Sequence, residues 1–341
     1  MSGSSLDGLD VAIVYFEEGN EKWHIKSTHL IPYSEKWEQK LRNYHLLDAG
    51  SYIKLKYDYS HYIGELLFGL LDSSSTQVDC ISFHGHTLIH RPENGYTEQI
   101  GNGAIVAAKT GVPTMTEFRN YDIALGGQGT PLAPLVDLHL FEGHDYYLNL
   151  GGIANITSVT KNSVVAYDIC PCNQIFNHYA QLLGHKYDKD GELAKKGNLD
   201  KELHITIGKY QYFKDLPPKS LDNNWIRSEF IPSLGRHEHT TILHTYAQWM
   251  TSHIVDQVKT KDSSKMMVSG GGAHNTFLIE LLKEKLVTVN CELILPSSEI
   301  IDFKEAILMA YLAKRYLNKK ENILHSVTGA KRSAIVGSLH Y

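Results

Sequence analysis

At 341 residues the chain exceeds the size at which one hydrophobic core stops growing, so two domains are expected. Hydrophobic residues at 42% and charged residues at 21% describe a packed globular protein and argue against disorder. The 33 Lys and Arg against 38 Asp and Glu leave a formal charge of -5, which offers no general electrostatic footprint for nucleic acid or an anionic membrane.

The first ten residues, MSGSSLDGLD, run into an apolar stretch over 11–16 that reads as a strand. Asp7, Asp10, Glu17 and Glu18, with no basic region before them, argue against a secretory signal. The Ser/Gly/Asp cluster ahead of a strand reads either as a plain turn or as a backbone cradle for phosphate, with Asp7 or Asp10 near a metal. Helical spacing follows over 52–71. SFHGHTLIHRP over 82–92 then gathers His84, His86, His90 and Arg91, which suit a polar pocket or an ordinary surface better than a metal site. A short helix is expected over 104–109. TEFRNYDIALGGQGTP over 116–131 reads as a long polar loop holding Arg119, Asp122 and Gln128; Arg119 suits either a carboxylate clamp or an exposed ion pair.

Strands over 146–150 and 153–159 flank Gly151 and Gly152, a hairpin that a ligand or another backbone approaches closely. YDICPCN places Asp168 near a strand end, with Asn173 set to cap a helix over 174–183. Cys170 and Cys172 lack companion ligands and read as inert thiols; four cysteines in all point to a reducing compartment. A helix over 241–258 precedes a strand over 266–268, which stops at Gly270, Gly271 and Gly272 before a helix over 275–286. Strand, glycine turn and helix start let a nucleotide lie against backbone, although neither the dinucleotide fingerprint nor the P-loop spacing is present. The last helix is expected over 303–318. No apolar run nears the roughly 20 residues of a membrane span. The alternation of strands and helices makes this an α/β protein.

Taken in order, MSGSSLDGLD, HGHTLIHRP, TEQIGNGA, FRNYDIALGGQGTPLAP, NLGGIANIT, YDICPCN, LPPKSL, SGGGAHN, DFKEAILMAYLA and SVTGA resemble the bacterial anhydro-N-acetylmuramic acid kinases over essentially the whole chain. The resemblance implies the fold of sugar kinases, actin and Hsp70: two related α/β domains of the actin-like, ribonuclease H-like kind, flanking a nucleotide cleft. It divides the chain into 1–130 plus 306–341, with the sugar-pocket loops, and 131–305, with the nucleotide-binding turns. It implies ATP and Mg2+ as cofactors, with Asp7 at the metal. A cytoplasmic enzyme is expected, with no nucleic-acid or membrane partner and room for a homodimer. The reaction implied opens the 1,6-anhydro ring with water and phosphorylates O6.

Residue by residue, the resemblance assigns ATP contact to Gly3, Ser4, Ser5, Asp7, Gly8, Gly151, Gly152, Asn155, Gly270, Gly271, Gly272 and Asn275. Asp168 corresponds to the general base and Glu305 to an acidic position at the start of the late helix. His84, Thr87, Arg119, Gln128 and Asn173 fall around the sugar. The chain departs from the family at Ser4, where Thr is usual, and at His86, where Gln is usual. Cys170 and Cys172 replace two glycines, and Asp222, Asn223 and Asn224 replace Gly-Arg-Glu. The family also has a short strand ahead of its first motif, so either the protein is longer than this numbering or the edge of its first sheet is incomplete. A kinase for another sugar and a catalytically silent sugar or nucleotide sensor are the alternatives.

Overall fold

The structure is a computed structural model that describes every residue except 4, 5, 20, 21, 75, 161, 162, 218, 260 and 261. The described residues divide into two compact units, Met1–Phe141 with Phe303–Tyr341, and Glu142–Asp302.

In chain order the first unit contains β1 (Gly8–Phe16), β2 (Trp23–Pro32), α1 (Ala49–Ser73), β3 (Ile81–Ser82), β4 (His86–Arg91), β5 (Tyr96–Ile100), α2 (Gly103–Thr110), β6 (Thr114–Thr116) and α3 (Asn120–Ala124). The second contains β7 (Tyr146–Leu150), β8 (Ile153–Val159), β9 (Val164–Pro171), α4 (Asn173–Leu182), α5 (His239–Val255), β10 (Ser264–Ser269), α6 (Thr276–Val287) and β11 (Cys291–Ile294). Helix α7 (Ser298–Leu317) carries the chain back to the first unit, which ends with β12 (Ser338–His340).

Local chemistry sets several of these boundaries. Asp48 Oδ1 accepts the Ser51 N–H at 2.8 Å to start α1, and Asn275 Oδ1 accepts the Leu278 N–H at 3.1 Å to start α6. Each satisfies a first-turn donor that has no partner inside the helix. Within α1, a Cβ on Gly64 would lie 3.1 Å from Lys109 Cβ, so the close crossing of α1 and α2 depends on that glycine.

The second unit is built on one five-stranded sheet in the order β11-β10-β7-β8-β9. β10 runs parallel to β7 and β11, whereas β8 runs antiparallel to both β7 and β9. Counted within the unit, the order is 3-2-1-4-5 with the second strand reversed, which is a ribonuclease H-like sheet. Its central strands are apolar on both faces: Tyr147, Leu148, Met266, Met267 and Val268 are all buried, as strands covered by helices on both sides require. The first unit repeats the same kinds of pairing in separate pieces. β1 is antiparallel to β2, β3 is parallel to β6 with β12 antiparallel on its far side, and β4 and β5 form their own hairpin. Among the described residues no helix is long and apolar enough to cross a membrane.

Candidate functional site

Two glycine turns of the second unit meet at the end of β7. Gly270 has φ +82°, and a Cβ there would press on the Asn149 side chain and lie 2.9 Å from the Leu150 carbonyl carbon. A Cβ on Gly272 would lie 2.7 Å from Leu150 Cβ. Gly271, between them, is exposed, and its nearest neighbour would be Asn173 Nδ2 at 3.8 Å. Packing therefore requires glycine at 270 and 272 and leaves it unexplained at 271.

The carbonyls of Gly151 and Gly152 accept the N–H groups of Cys172 at 2.9 Å, Asn173 at 3.0 Å and Gln174 at 3.3 Å. The hairpin turn thus satisfies the first donors of α4. Asn173 is not the cap that its sequence position suggests. β9 continues to Pro171, Cys172 occupies the cap position, and Asn173 instead donates from Nδ2 to the Leu150 carbonyl at 3.0 Å. Asn275 is buried with its side-chain oxygen engaged in capping α6.

Asp168 lies on β9, paired in register with Asn155 on β8 beside a bulge. Its Oδ2 accepts from the Leu221 N–H at 2.9 Å and from Ser220 Oγ at 3.1 Å, and its main-chain carbonyl accepts from the Tyr212 hydroxyl at 2.8 Å. Burial pushes the carboxyl above the ordinary carboxylate range, against the opposing pull of those two hydrogen bonds on Oδ2. The loop that grips Asp168 is the LPPKSL segment, in which Pro218 lies outside the described residues. Its Lys219 donates to the Tyr212 carbonyl at 3.0 Å and sits over the Tyr212 ring. The following Asp222 caps the next turn, and Asn223 Oδ1 accepts from Gln174 Nε2 at 2.6 Å, so this segment braces α4. Cys170 and Cys172 are fully buried. Burial raises the Cys172 thiol to about 12 and Cys170 well above its usual value, which keeps both protonated and unreactive. The Tyr246 hydroxyl holds the Pro171 carbonyl between them at 2.6 Å.

The first unit gathers a second set. Gly85 has φ +83°, and a Cβ there would lie 2.7 Å from the Ile100 carbonyl, so the HGHT turn needs it. His84 is buried, with Nδ1 3.0 Å from the Gly85 carbonyl and Nε2 accepting from Arg119 Nε at 3.0 Å. A carbonyl only accepts, so the proton sits on Nδ1 and the ring is neutral. Burial, then the adjacent guanidinium, hold its pKa well below the usual value. Burial also lowers Arg119 to about 10, opposed by the charge of Glu305. Glu305 does not begin its helix: α7 starts at Ser298 and puts it about two turns in, exposed. Thr87 accepts from Gln99 Nε2 at 3.4 Å. His86 Nδ1 lies 3.0 Å from Ser2 Oγ, which also accepts from the Tyr33 hydroxyl at 2.7 Å.

The stretch expected as an irregular loop contains α3 and is closed by a clamp. Wholly buried Asp122 accepts the Gly129 N–H at 2.6 Å and the Thr328 hydroxyl at 2.7 Å. Gln128 is exposed, and its N–H donates to the Thr328 carbonyl at 2.8 Å. In the first turn, the Gly3 carbonyl accepts from the Leu6 N–H at 3.3 Å, and Ser4 and Ser5 lie outside the described residues. A Cβ on Gly8 would lie 3.0 Å from Pro32 Cα, so β2 alone explains that glycine. Asp7 is exposed, and among the described residues no group of three His, Cys, Asp or Glu could hold a metal ion.

The family model for anhydro-N-acetylmuramic acid kinase matches residues 1–341. Anhydro-N-acetylmuramic acid kinase of Aliivibrio fischeri is 32% identical over 362 residues, covering 100% of this chain and 97% of that protein. The kinases of the same name from Vibrio cholerae serotype O1 and Sulfurimonas denitrificans are 31% and 30% identical, over 100% of this chain and 97% and 98% of theirs.

Proposed function

Because the chain belongs to the anhydro-N-acetylmuramic acid kinase family, we propose that it opens the 1,6-anhydro ring of anhydro-N-acetylmuramic acid with water and phosphorylates O6 from ATP. The products are N-acetylmuramic acid 6-phosphate and ADP, as cell-wall recycling requires. Water attacks C1 and the C1–O6 bond breaks. The released O6 takes the γ-phosphoryl group as its bond to ADP breaks, and the proton of the water passes to Asp168. The observation that carries this assignment is the raised pKa of Asp168 on a carboxyl gripped through Oδ2 alone by Ser220 and Leu221. A base with a pKa moved toward neutrality accepts a proton more readily than an ordinary carboxylate.

Backbone at Gly270, Gly271 and Gly272, with Gly151, Gly152, Asn155 and Asn275, is assigned to ATP, together with Gly3, Ser4, Ser5 and Gly8. Glu305 faces the reacting groups in this reading. Mg2+ keeps most of its waters and takes one or two carboxylates besides phosphate oxygens, so exposed Asp7 beside a backbone turn fits it. When bound, the ion draws charge from the phosphate oxygens. Arg119, aimed by neutral His84, suits the carboxylate of the sugar, with Thr87, Gln128 and Asn173 as further polar contacts. The cytoplasm, where ATP and reduced thiols coexist, is the compartment this reading requires.

The test is to incubate the pure protein with ATP, Mg2+ and 1,6-anhydro-N-acetylmuramic acid in oxygen-18 water. Mass spectrometry should find the sugar 6-phosphate labelled at the anomeric oxygen and unlabelled in its phosphate. Asp168→Asn should lower kcat by roughly 10²-fold or more with ATP affinity nearly unchanged. Labelled free phosphate without sugar turnover, or full activity in the Asn variant, would reject the mechanism.

A further inference from the structure

Gln174 occupies its place at a cost. It stands in the first turn of α4, where its N–H donates to the Gly152 carbonyl at 3.3 Å. Its side chain lies over that glycine, with Cγ and Nε2 each 3.5 Å from where a Cβ on Gly152 would be. The side-chain Oε1 is buried and has no hydrogen-bond partner among the described residues. An amide oxygen left in that state is costly, and an apolar side chain of similar size would fill the same space without the cost. What the amide adds is its other end: Nε2 donates to Asn223 Oδ1 at 2.6 Å, across 49 residues of sequence.

Asn223 ends the loop that holds Asp168. That loop begins at Tyr212, whose hydroxyl donates to the Asp168 carbonyl at 2.8 Å and whose own carbonyl accepts from Lys219 Nζ at 3.0 Å. It then runs beside β9. The Lys219 carbonyl accepts from the Asp168 N–H at 3.3 Å, and Ser220 Oγ and the Leu221 N–H reach Asp168 Oδ2 at 3.1 and 2.9 Å. Lys219 thus fixes the near side of the two groups that grip the carboxylate. On the far side Leu221 is buried, whereas Asp222, Asn223 and Asn224 are exposed. The bond from Gln174 ties this exposed turn to α4, the helix that follows directly on β9, so both sides of the loop are referred to the strand and helix that carry Asp168. Asn223 belongs to the triplet that stands in place of the family's Gly-Arg-Glu, and Gln174 follows directly on the Cys-Pro-Cys-Asn segment that also departs from it.

We propose that Gln174 and Asn223 form a side-chain latch that holds Ser220 and Leu221 against Asp168, which makes both of them positioning residues for the reaction. The inference rests on the reading of Asp168 as the general base. Two donors on Oδ2 fix the rotation of the carboxylate and leave Oδ1 to accept from the attacking water. Without the latch the two donors loosen together. The carboxylate then gains rotational freedom and loses hydrogen bonds that favour its ionised form, so its titration moves to higher pH.

The test compares Gln174→Leu, Asn223→Ala and the double variant with the parent. It reads kcat and KM for both substrates and, independently of turnover, the titration of the Asp168 carboxyl by carbon-13 NMR, assigned by the signal missing from Asp168→Asn. Asn223 is exposed and Gln174→Leu removes an unpaired oxygen at similar volume, so both variants should fold as the parent does. Each should lower kcat by roughly three- to thirtyfold, below the 10²-fold that a displacement of about 1 Å can cost, with both KM values held within about twofold. Each should also move the carboxyl titration to higher pH. Because the two side chains act through one bond, the double variant should match the single ones. A titration unmoved in either single variant, or a double variant whose shift is the sum of the two, would overturn the latch. A titration moved equally in all three with kcat unchanged would keep the latch and remove Asp168 as the base.

Discussion

Replacing Gly271 by Val separates a glycine kept for the fold from one kept for a ligand. At 271 the nearest atom to an added Cβ is Asn173 Nδ2 at 3.8 Å, an ordinary contact, and the position is exposed. Removing a glycine also restricts the unfolded chain, by about 0.4–1 kcal/mol for an Ala, so the melting temperature of Gly271→Val should hold within a few degrees. Gly270→Ala is the contrasting case. It puts a side chain at φ +82° and ψ 161°, a backbone region populated essentially by glycine, and 2.9 Å from the Leu150 carbonyl carbon, combining about 1–3 kcal/mol of backbone strain with an overpacking penalty of about 1–3 kcal/mol. The Gly270 variant should therefore melt well below the parent. If ATP lies against the turn, the Val side chain should weaken its binding by roughly 10- to 100-fold, which is about 1.4–2.8 kcal/mol. Thermal unfolding and ATP titration by calorimetry measure both quantities. A folded Gly271→Val with unchanged ATP affinity would remove the nucleotide from this turn, and a harmless Gly270→Ala would refute the steric reasoning.

Ser220→Ala deletes a hydrogen bond that favours the ionised form of Asp168, so its pKa rises further and the acid limb of kcat/KM should move to higher pH; an unmoved limb would separate Asp168 from the pH dependence. Asp122→Ala leaves the Gly129 N–H and the Thr328 hydroxyl without their buried acceptor and should cost about 2–4 kcal/mol in denaturant unfolding, whereas Asp122→Asn, which keeps one oxygen, should cost less. Changing Cys170 and Cys172 together to the glycines usual in the family should lower stability by roughly 1–3 kcal/mol, since both thiols are fully buried and leave voids; a melting temperature equal to the parent would show that the strand end collapses around them.

The sequence by itself determined the elements whose pattern is local. The strands at 146–150 and 153–159 and the helices around 52–71, 241–258 and 275–286 are found within a few residues of their expected bounds, because apolar periodicity, a capping Asn275 and glycine stops act over one or two turns of chain. Ordered motifs also carried the family, since their succession along the whole chain is itself a one-dimensional property. Strand β2 lacks such a signal: His24, Lys26, Ser27, Thr28 and His29 leave it without an apolar stripe, and only pairing with β1 makes it a strand. The same limit applies at the candidate site. Asp168 stands out as a carboxylate near a strand end, but burial raises its pKa while Ser220 and Leu221, 52 and 53 residues away, pull it back down. Asp122 reads as one acid in a polar loop until Thr328, 206 residues distant, closes on it. His84 becomes a neutral acceptor only once Arg119 lies against it. Protonation state and hydrogen-bond role are set by which groups share a desolvated volume, and that neighbourhood is assembled by chain segments whose separation in sequence carries no trace of their contact.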